Sequence, residues 1–251
     1  MKLFVLDRFS LLTVGMIGLF AVFLCVGAPR AVETSAREVR EIPIYSVETD
    51  KKELAVTFDV AWEPTDLDAI LSVLQEYGVH ATFFAVGDWV AMFPEEAQKI
   101  HAAGHVLASH SMHHTLYTKL SPQEIAADMD EADRVLTETV GEAPPLLRAP
   151  SGEYNDDVVC TVRDSGREII QWDCDSLDWK EVDAEEIKAR ILNKAGNGSI
   201  LLFHVGTPHT AEALPEILKE LKEEGYTFPS VDEMIHSAPY TLDHAGRQRK
   251  E

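Results

Sequence analysis

The sequence predicts an α/β fold: a distorted (β/α)7–8 barrel preceded by a single N-terminal hydrophobic helix. Three observations predict it. From residue 54 onward, seven short apolar runs alternate with longer amphipathic segments, the pattern of parallel strands joined by helical crossovers. The roughly 200 residues they span suit a closed or nearly closed sheet, with an open doubly wound sheet as the alternative. The polar residues richest in chemistry follow directly after apolar runs, at the strand ends where parallel sheets place their sites.

Phe9 to Ala28 carries no charge over twenty positions, enough to span a bilayer as a helix. Lys2 and Arg8 precede it as in a signal peptide. Pro29 follows Ala28 directly, which disfavours cleavage there, so residues 1–28 read as a retained anchor; a cleaved signal is the alternative. Arg30, Arg37 and Arg40 beyond the span leave the positive-inside count undecided. Residues 29–50 are polar, mixed in charge and without apolar period, and read as a stalk.

The domain proper is expected over 51–235. Leu54–Phe58 is a strand, and Thr65–Tyr77 a helix opened by Thr65 with Asp68 in its first turn. Ala81–Val86 is the second strand. Glu95–Ala103 is a helix stopped by Gly104. Val106–Ser109 is the third strand. Ser121-Pro122-Gln123-Glu124 is a capping box that starts a helix running to about Thr139. Leu146–Arg148 is the fourth strand, and Asn155 or Asp156 opens a helix ending near Gly166. Glu168–Trp172 is the fifth strand, and Asp183 with Glu186 caps the next helix. Ser199–Phe203, the helix Ala211–Glu224 and a seventh strand at Thr227–Pro229 complete the domain. Residues 236–251 read as a polar tail, frayed from Ala238.

Composition limits the partners. The chain has 251 residues, 45% hydrophobic and 26% charged, which excludes a disordered, collagen-like or coiled-coil protein. With 22 Lys+Arg against 43 Asp+Glu, the net charge is −21. Such a chain repels nucleic acid and gains nothing by charge at an anionic membrane surface. The three cysteines, Cys25, Cys160 and Cys174, form no C-x-x-C pair. Cys160 and Cys174 read either as one disulfide or as two buried thiols.

Five places at strand ends carry candidate chemistry. Asp59 closes Thr57-Phe58-Asp59, where a lone carboxylate also serves as a turn former. His110 and His114 are four apart, one helical turn, a spacing at which two imidazoles hold one metal ion. Arg148 opens Arg148-Ala149-Pro150-Ser151-Gly152 and can brace a carboxylate through two hydrogen bonds. Asp173, Asp175, Asp178 and Trp179 share one acidic loop, and His204 ends the run Leu202-Phe203. Each is weak alone; their order after successive strands is not.

In that order the five segments resemble the NodB-homology polysaccharide deacetylases, carbohydrate esterase family 4. Thr57-Phe58-Asp59-Val60 is similar to T-F-D-D, His110–His114 to H-S-x-x-H, Arg148–Gly152 to R-x-P-x-G, Asp178-Trp179 to D-W and Leu202–Val205 to L-x-H-D. The resemblance covers about 51–235. It implies a metal-dependent hydrolase that removes N-acetyl groups from an N-acetylhexosamine polymer, peptidoglycan first among them. It implies His110 and His114 as metal ligands, Asp59 as general base and His204 as general acid. Arg148 would hold Asp59, and Asp178 would hold His204. The backbone near Ser151 would serve the oxyanion, with Trp179 and Leu202 as walls of the acetyl pocket. It implies a divalent cofactor, zinc first and cobalt or another ion second. The domain would sit outside the cytoplasm, held to the cell membrane by a single span, or secreted if that span is removed. The departures are Val60 and Val205, where the family has Asp. They support an alternative: a catalytically degenerate carbohydrate-binding relative. Glu63, three residues after Val60, is a candidate replacement ligand. Oligomeric state is not legible.

Overall fold

The computed structural model describes residues 40–180 and 182–251. The expected helix at 1–28 and the start of the expected stalk lie outside the described residues. Among the described residues no helix is long and apolar enough to cross a membrane.

The central element is a seven-stranded parallel sheet in the order β6-β5-β4-β3-β2-β8-β7. Its strands are β2 (Ala55–Val60), β3 (Thr82–Ala85), β4 (Val106–Ser109), β5 (Leu146–Leu147), β6 (Glu168–Ile169), β7 (Cys174–Asp175) and β8 (Ile200–His204). The parallel α/β expectation holds, but the sheet is a curled half-barrel rather than a closed barrel. β5, β6 and β7 are two residues each, too short to carry a ladder around the circle, and β6 and β7 end the strand order without pairing with each other.

Helices α1 (Leu67–Tyr77), α2 (Gly87–Met92), α3 (Pro94–Ala102), α4 (Pro122–Val140), α5 (Asp156–Asp164), α6 (Ala184–Leu192), α7 (Thr210–Glu223) and α8 (Val231–Met234) connect the strands. Their starts follow local chemistry. Ser121 and Glu124 form the reciprocal capping box on α4. Asn155 and Asp183 accept the backbone N–H of Val158 and Glu186 and so cap α5 and α6. The start of α1 differs from the sequence expectation. Its N-cap is Asp66, whose side chain makes no capping bond and instead accepts Gly206 N–H at 2.7 Å.

Strand alternation sorts the side chains. Odd positions of β2 and even positions of β3, β4 and β8 face the inside of the curl, where Ala55, Phe84, Ala108 and Ile200 form one apolar cluster. The other parity faces the helices, where Val56, Phe58, Val60, Phe83, Leu201, Phe203 and Val205 form the larger core. The rings of Phe58, Phe83 and Phe203 stack there at 4.8 and 5.7 Å. Deleting such a fully buried ring costs about 3–5 kcal/mol.

Two boundaries are corrected. Residues 44–48 are not stalk. Ile44 and Val47 are fully buried with the inner cluster, and the segment hydrogen-bonds Ile169 and Gln171 on one side and Gly198 on the other. It thereby fills the seam of the curl. Residues 240–250 are not a frayed tail. β9 (Tyr240–Leu242) and β10 (Arg247–Lys250) form a hairpin that pairs with β1 (Ser46–Val47). Thr227–Pro229 is not a strand; Thr227 makes one bridge, to Glu53. The seventh strand is β7, inside the acidic loop. Cys160 is exposed and Cys174 buried, both free, so the pair is neither a disulfide nor two buried thiols.

Candidate active site

Period-two alternation and strand ends together build the site. Asp59 is the last inward residue of β2, and its register partner on β8 is His204. The two therefore stand side by side on the inner face at the C-terminal end of the sheet. Leu202 lies one inward step below His204. His110 follows β4 and Arg148 follows β5 at the same level.

Asp59 and Arg148 form a buried ion pair. Arg148 Nη1 donates to Asp59 Oδ1 at 2.8 Å, and Nη2 donates to the Gln171 carbonyl at 3.2 Å. The guanidinium is fully buried and lies 4.0 Å from the centre of the Phe84 ring. Burial raises the Asp59 pKa, but the charges of Arg148, His110 and His204 outweigh it, and the carboxyl ends below its ordinary value. It is an ionised, oriented proton acceptor.

Asp178 holds His204 in the same manner. Its Oδ1 accepts His204 Nδ1–H at 2.7 Å, its Oδ2 accepts the His204 backbone N–H at 2.8 Å, and Thr210 donates its hydroxyl to Oδ2. Nδ1 is thus the protonated donor, which leaves Nε2 for exchange with a substrate. Burial lowers the His204 pKa, but the hydrogen bond and charge of Asp178, with Asp59, raise it further, so the imidazole ends above its ordinary value. One base and one acid are therefore held 2.8 and 2.7 Å from their respective braces.

The histidine pair is not on a helix. Ser111 and His114 have φ of +70° and +54°, and the chain from His110 to Leu116 is a loop. The rings still meet edge to face at 4.9 Å. The loop is fixed by Asp128 on α4, which accepts Met112 N–H at 2.8 Å and the Tyr117 hydroxyl at 2.6 Å. Its other side is fixed by Gly87 and Asp88, whose N–H groups donate to the Ser111 and Met112 carbonyls. A Cβ at Gly87 would stand 2.3 Å from Met112 Sδ and 3.2 Å from Met112 Cα, so a larger residue there would have to displace the Met112 side chain. His110 Nδ1 donates to the Arg148 carbonyl at 2.8 Å. Burial pulls the His110 pKa down to about 4, with Asp59 opposing, and burial lowers that of His114 too. Both are neutral imidazoles at neutral pH, the ligand form.

The third metal ligand is missing. Val60 has the outward parity and is fully buried in the helix-facing core with Val86 and Val205. Asp59 Oδ2 lies 3.6 Å from His110 Nε2, but its partner oxygen is held by Arg148. Glu63 is exposed on the rim. Among the described residues no three His, Cys, Asp or Glu side chains converge on one ion position. The donors present do not fit a three-ligand metal site.

Asp59, His110, His114, His204, Ser151, Trp179 and Leu202 all line one cavity of about 840 Å³. Arg148 and Asp178 lie behind it, each bonded to its lining residue. Ser151 has φ of +57° in a short 3-10 turn after β5. Its neighbour is fixed by Gln171, whose side-chain amide donates to the Gly152 carbonyl at 2.9 Å. All nine residues expected from the sequence are thus brought to one place.

Of the remaining lining, only Glu63 and Asp175 were named from the sequence. Trp62, Glu63, Asp88, Trp89, Met92, Phe93, Trp172 and Asp175 also face the cavity. Trp62 stacks on His204 at 5.3 Å between ring centres. Its loop is held by Trp89, whose indole N–H donates to the Trp62 carbonyl at 2.7 Å. It also lies against Gly206, at φ +86°, where a Cβ would meet the Glu63 carbonyl at 2.5 Å. The signal that would have found this half is the pair of large apolar residues, Trp62 and Met92, in segments that no helix or strand period explains.

The polysaccharide deacetylase family model matches residues 46–170. A peptidoglycan-N-acetylglucosamine deacetylase of Bacillus cereus is 32% identical over 196 residues, 76% of this chain and 92% of that one. The protein YlxY of Bacillus subtilis is 32% identical over 193 residues, 77% of this chain and 60% of its own. A peptidoglycan-N-acetylmuramic acid deacetylase of Bacillus subtilis is 32% identical, and the match covers 40% of its length. The chain thus spans less than two thirds of these last two relatives. Among solved structures, a family 4 carbohydrate esterase pseudoenzyme of Bacillus anthracis superposes with TM-score 0.74 at 32% identity, over 77% of this chain and 68% of that one. A variant of that pseudoenzyme described as having restored enzymatic activity superposes equally well, at 33% identity.

Proposed function

Since the chain belongs to the polysaccharide deacetylase family, we propose that it hydrolyses the N-acetyl group of an N-acetylhexosamine unit in a cell-wall glycan, peptidoglycan in the first place. One observation carries the reading: Asp59 and His204 are register partners, each braced by its own buried counter-group, with opposite pKa displacements. That is the arrangement for one base and one acid on either side of a scissile amide. Asp59 takes a proton from water as the water oxygen attacks the acetyl carbon. The backbone N–H of Ser151 serves the developing oxyanion, those of Gly152 and Glu153 being taken by the Ala149 and Pro150 carbonyls. As the C–N bond breaks, His204 passes its Nε2 proton to the sugar nitrogen, which leaves as the amine. Leu202 and Trp179 are the apolar walls for the acetyl methyl.

The family is metal-dependent in general, and a zinc or other divalent ion here would rest on His110 and His114 alone. Two imidazoles hold such an ion loosely. A second reading, glycan binding without turnover, is favoured by the burial of Val60 among apolar residues. Our reading of residues 1–28 as an anchor, with the domain outside the cytoplasm, is supported by their uncharged run and by the cell-wall substrate. The test of function is acetate release from N-acetylglucosamine oligomers by the protein, with and without added zinc or cobalt. Release supports the enzyme; oligomer binding without release supports the second reading.

A further inference from the structure

The cavity has two halves of different character, and the second half says which sugars fit. The large hydrophobic residues exposed among those described are Trp62, Met92 and Trp179, 46%, 71% and 52% exposed. All three border this one cavity. Exposed apolar surface gathered at one cleft marks a ligand groove. Flat indole faces there suit the C–H face of a pyranose ring.

The charge of the groove is one-sided. Asp59, Glu63, Asp88 and Asp175 line it, and among the described residues no Lys or Arg does. Two of these carboxylates are matched: Asp59 by Arg148 and Asp88 by His113 at 3.0 Å, whose pKa is raised by that hydrogen bond. Glu63 and Asp175 form no ion pair among the described residues; Asp175 accepts only Leu177 N–H and the Trp172 indole N–H. The cations facing this space are His113, which lines it and is taken up by Asp88, His204, held by Asp178, and, outside the lining, Lys180, which stacks on Trp179 at 4.9 Å. A ligand carboxylate entering the groove meets two unmatched like charges and no free guanidinium or ammonium in the lining. Unmatched like charge is a common means of rejecting a wrong partner.

We propose that this groove selects an N-acetylhexosamine chain without carboxylate substituents, stacking it on Trp62 and Trp179 and repelling acidic sugars through Glu63 and Asp175. The proposal rests on the reading of the cavity as a glycan site. In a glycan strand whose lactyl groups are free carboxylates, it assigns the acetamido groups of the uncharged sugar, not those of the lactyl-bearing sugar, to this site. It is independent of turnover, because stacking and repulsion act on binding.

The experiment is a binding titration followed by tryptophan fluorescence. The ligands are a tetramer of N-acetylglucosamine and an alternating tetramer of N-acetylglucosamine and N-acetylmuramic acid with free carboxylates. At about 0.01 M salt, where charges act over about 30 Å, the neutral tetramer is expected to bind at least about tenfold more tightly, the ratio produced by about 1.4 kcal/mol. The ratio should collapse at about 1 M salt and in the double variant Glu63→Gln, Asp175→Asn. Trp62→Ala should weaken both tetramers by a similar factor. Equal affinities at low salt would overturn the proposal, as would a preference that neither salt nor the double variant changes, or no binding of either ligand. Selective binding of the neutral tetramer without acetate release would uphold it and remove the enzyme reading instead.

Discussion

Asp178 grips His204 at two points, with one oxygen 2.7 Å from the ring Nδ1 and the other 2.8 Å from the backbone nitrogen of the same residue. The second contact fixes where the ring begins and the first fixes how it turns. Such a grip raises the pKa of the imidazole against a burial that lowers it.

Removing the charge but not the shape should therefore reverse the shift. In Asp178→Asn, burial is opposed by little besides the charges of Asp59 and Asp175, and the His204 pKa should fall below its value in the wild type. A histidine ring C–H titration by NMR reads this directly. An unchanged His204 titration would show that Asp178 does not tune the ring.

The same shift has a consequence for stability. A raised pKa means that folded His204 holds its proton more tightly than the unfolded chain does, whose ordinary value is 6.5. Its contribution is fully present below about pH 6.5 and is lost as pH rises through the raised value. The stability gap between wild type and His204→Gln should accordingly shrink from pH 6 to pH 9 in urea melts. Asp59, lowered, gives the opposite trend: its contribution is present above about 3.8 and lost as pH falls through the folded value.

Asp59→Asn should cost stability as well as activity. Arg148 is fully buried, and taking away its counter-charge leaves an uncompensated cation, an effect of about 3–5 kcal/mol. Calorimetry of Asp59→Asn beside Arg148→Met checks this. A melting point unchanged in Asp59→Asn would mean that water reaches the guanidinium.

The seam filled by residues 44–48 sets the true domain boundary. Protein beginning at residue 51 would expose the inner cluster that Ile44 and Val47 cover, losing about 1.5–3 kcal/mol for each buried side chain. A 51–235 fragment should melt well below the 40–251 protein. Equal melting temperatures would show the three-stranded sheet to be dispensable.

Zinc titration tests the ligand count. Wild type should bind zinc weakly, and Glu63→Gln should bind it no less, since Glu63 does not converge with the histidines. Val60→Asp places a carboxylate in a fully buried apolar layer and should lower stability by several kcal/mol. Tight zinc binding by wild type that Glu63→Gln abolishes would contradict this.

The residues explain what could be read in advance. The strands β2, β3, β4 and β8 announce themselves because both their faces are covered, so their apolar runs are continuous. Asp59, His110, Arg148 and His204 were legible as candidates because strand ends leave few positions for polar groups; the roles of all nine residues came from the resemblance of the five segments. The hairpin β9–β10 was not. Arg247, Arg249 and Lys250 are exposed or partly so, and only Gln248 turns fully inward, holding the His236 backbone with its amide. A strand of that composition has no hydrophobic signal. β7 was hidden because two residues inside an aspartate-rich loop show no period. Spacing misled at His110–His114, where two left-handed residues, not a helical turn, bring the rings together.

Acetate release measured for wild type, His204→Gln and Asp59→Asn, with folding checked in the same samples, tests the paired acid and base most directly. The wild type should release acetate from N-acetylglucosamine oligomers, and each variant that remains folded should be slower by about 10²–10⁴-fold. Release at the wild-type rate by both folded variants, or none from a wild type that binds the oligomer, would contradict it.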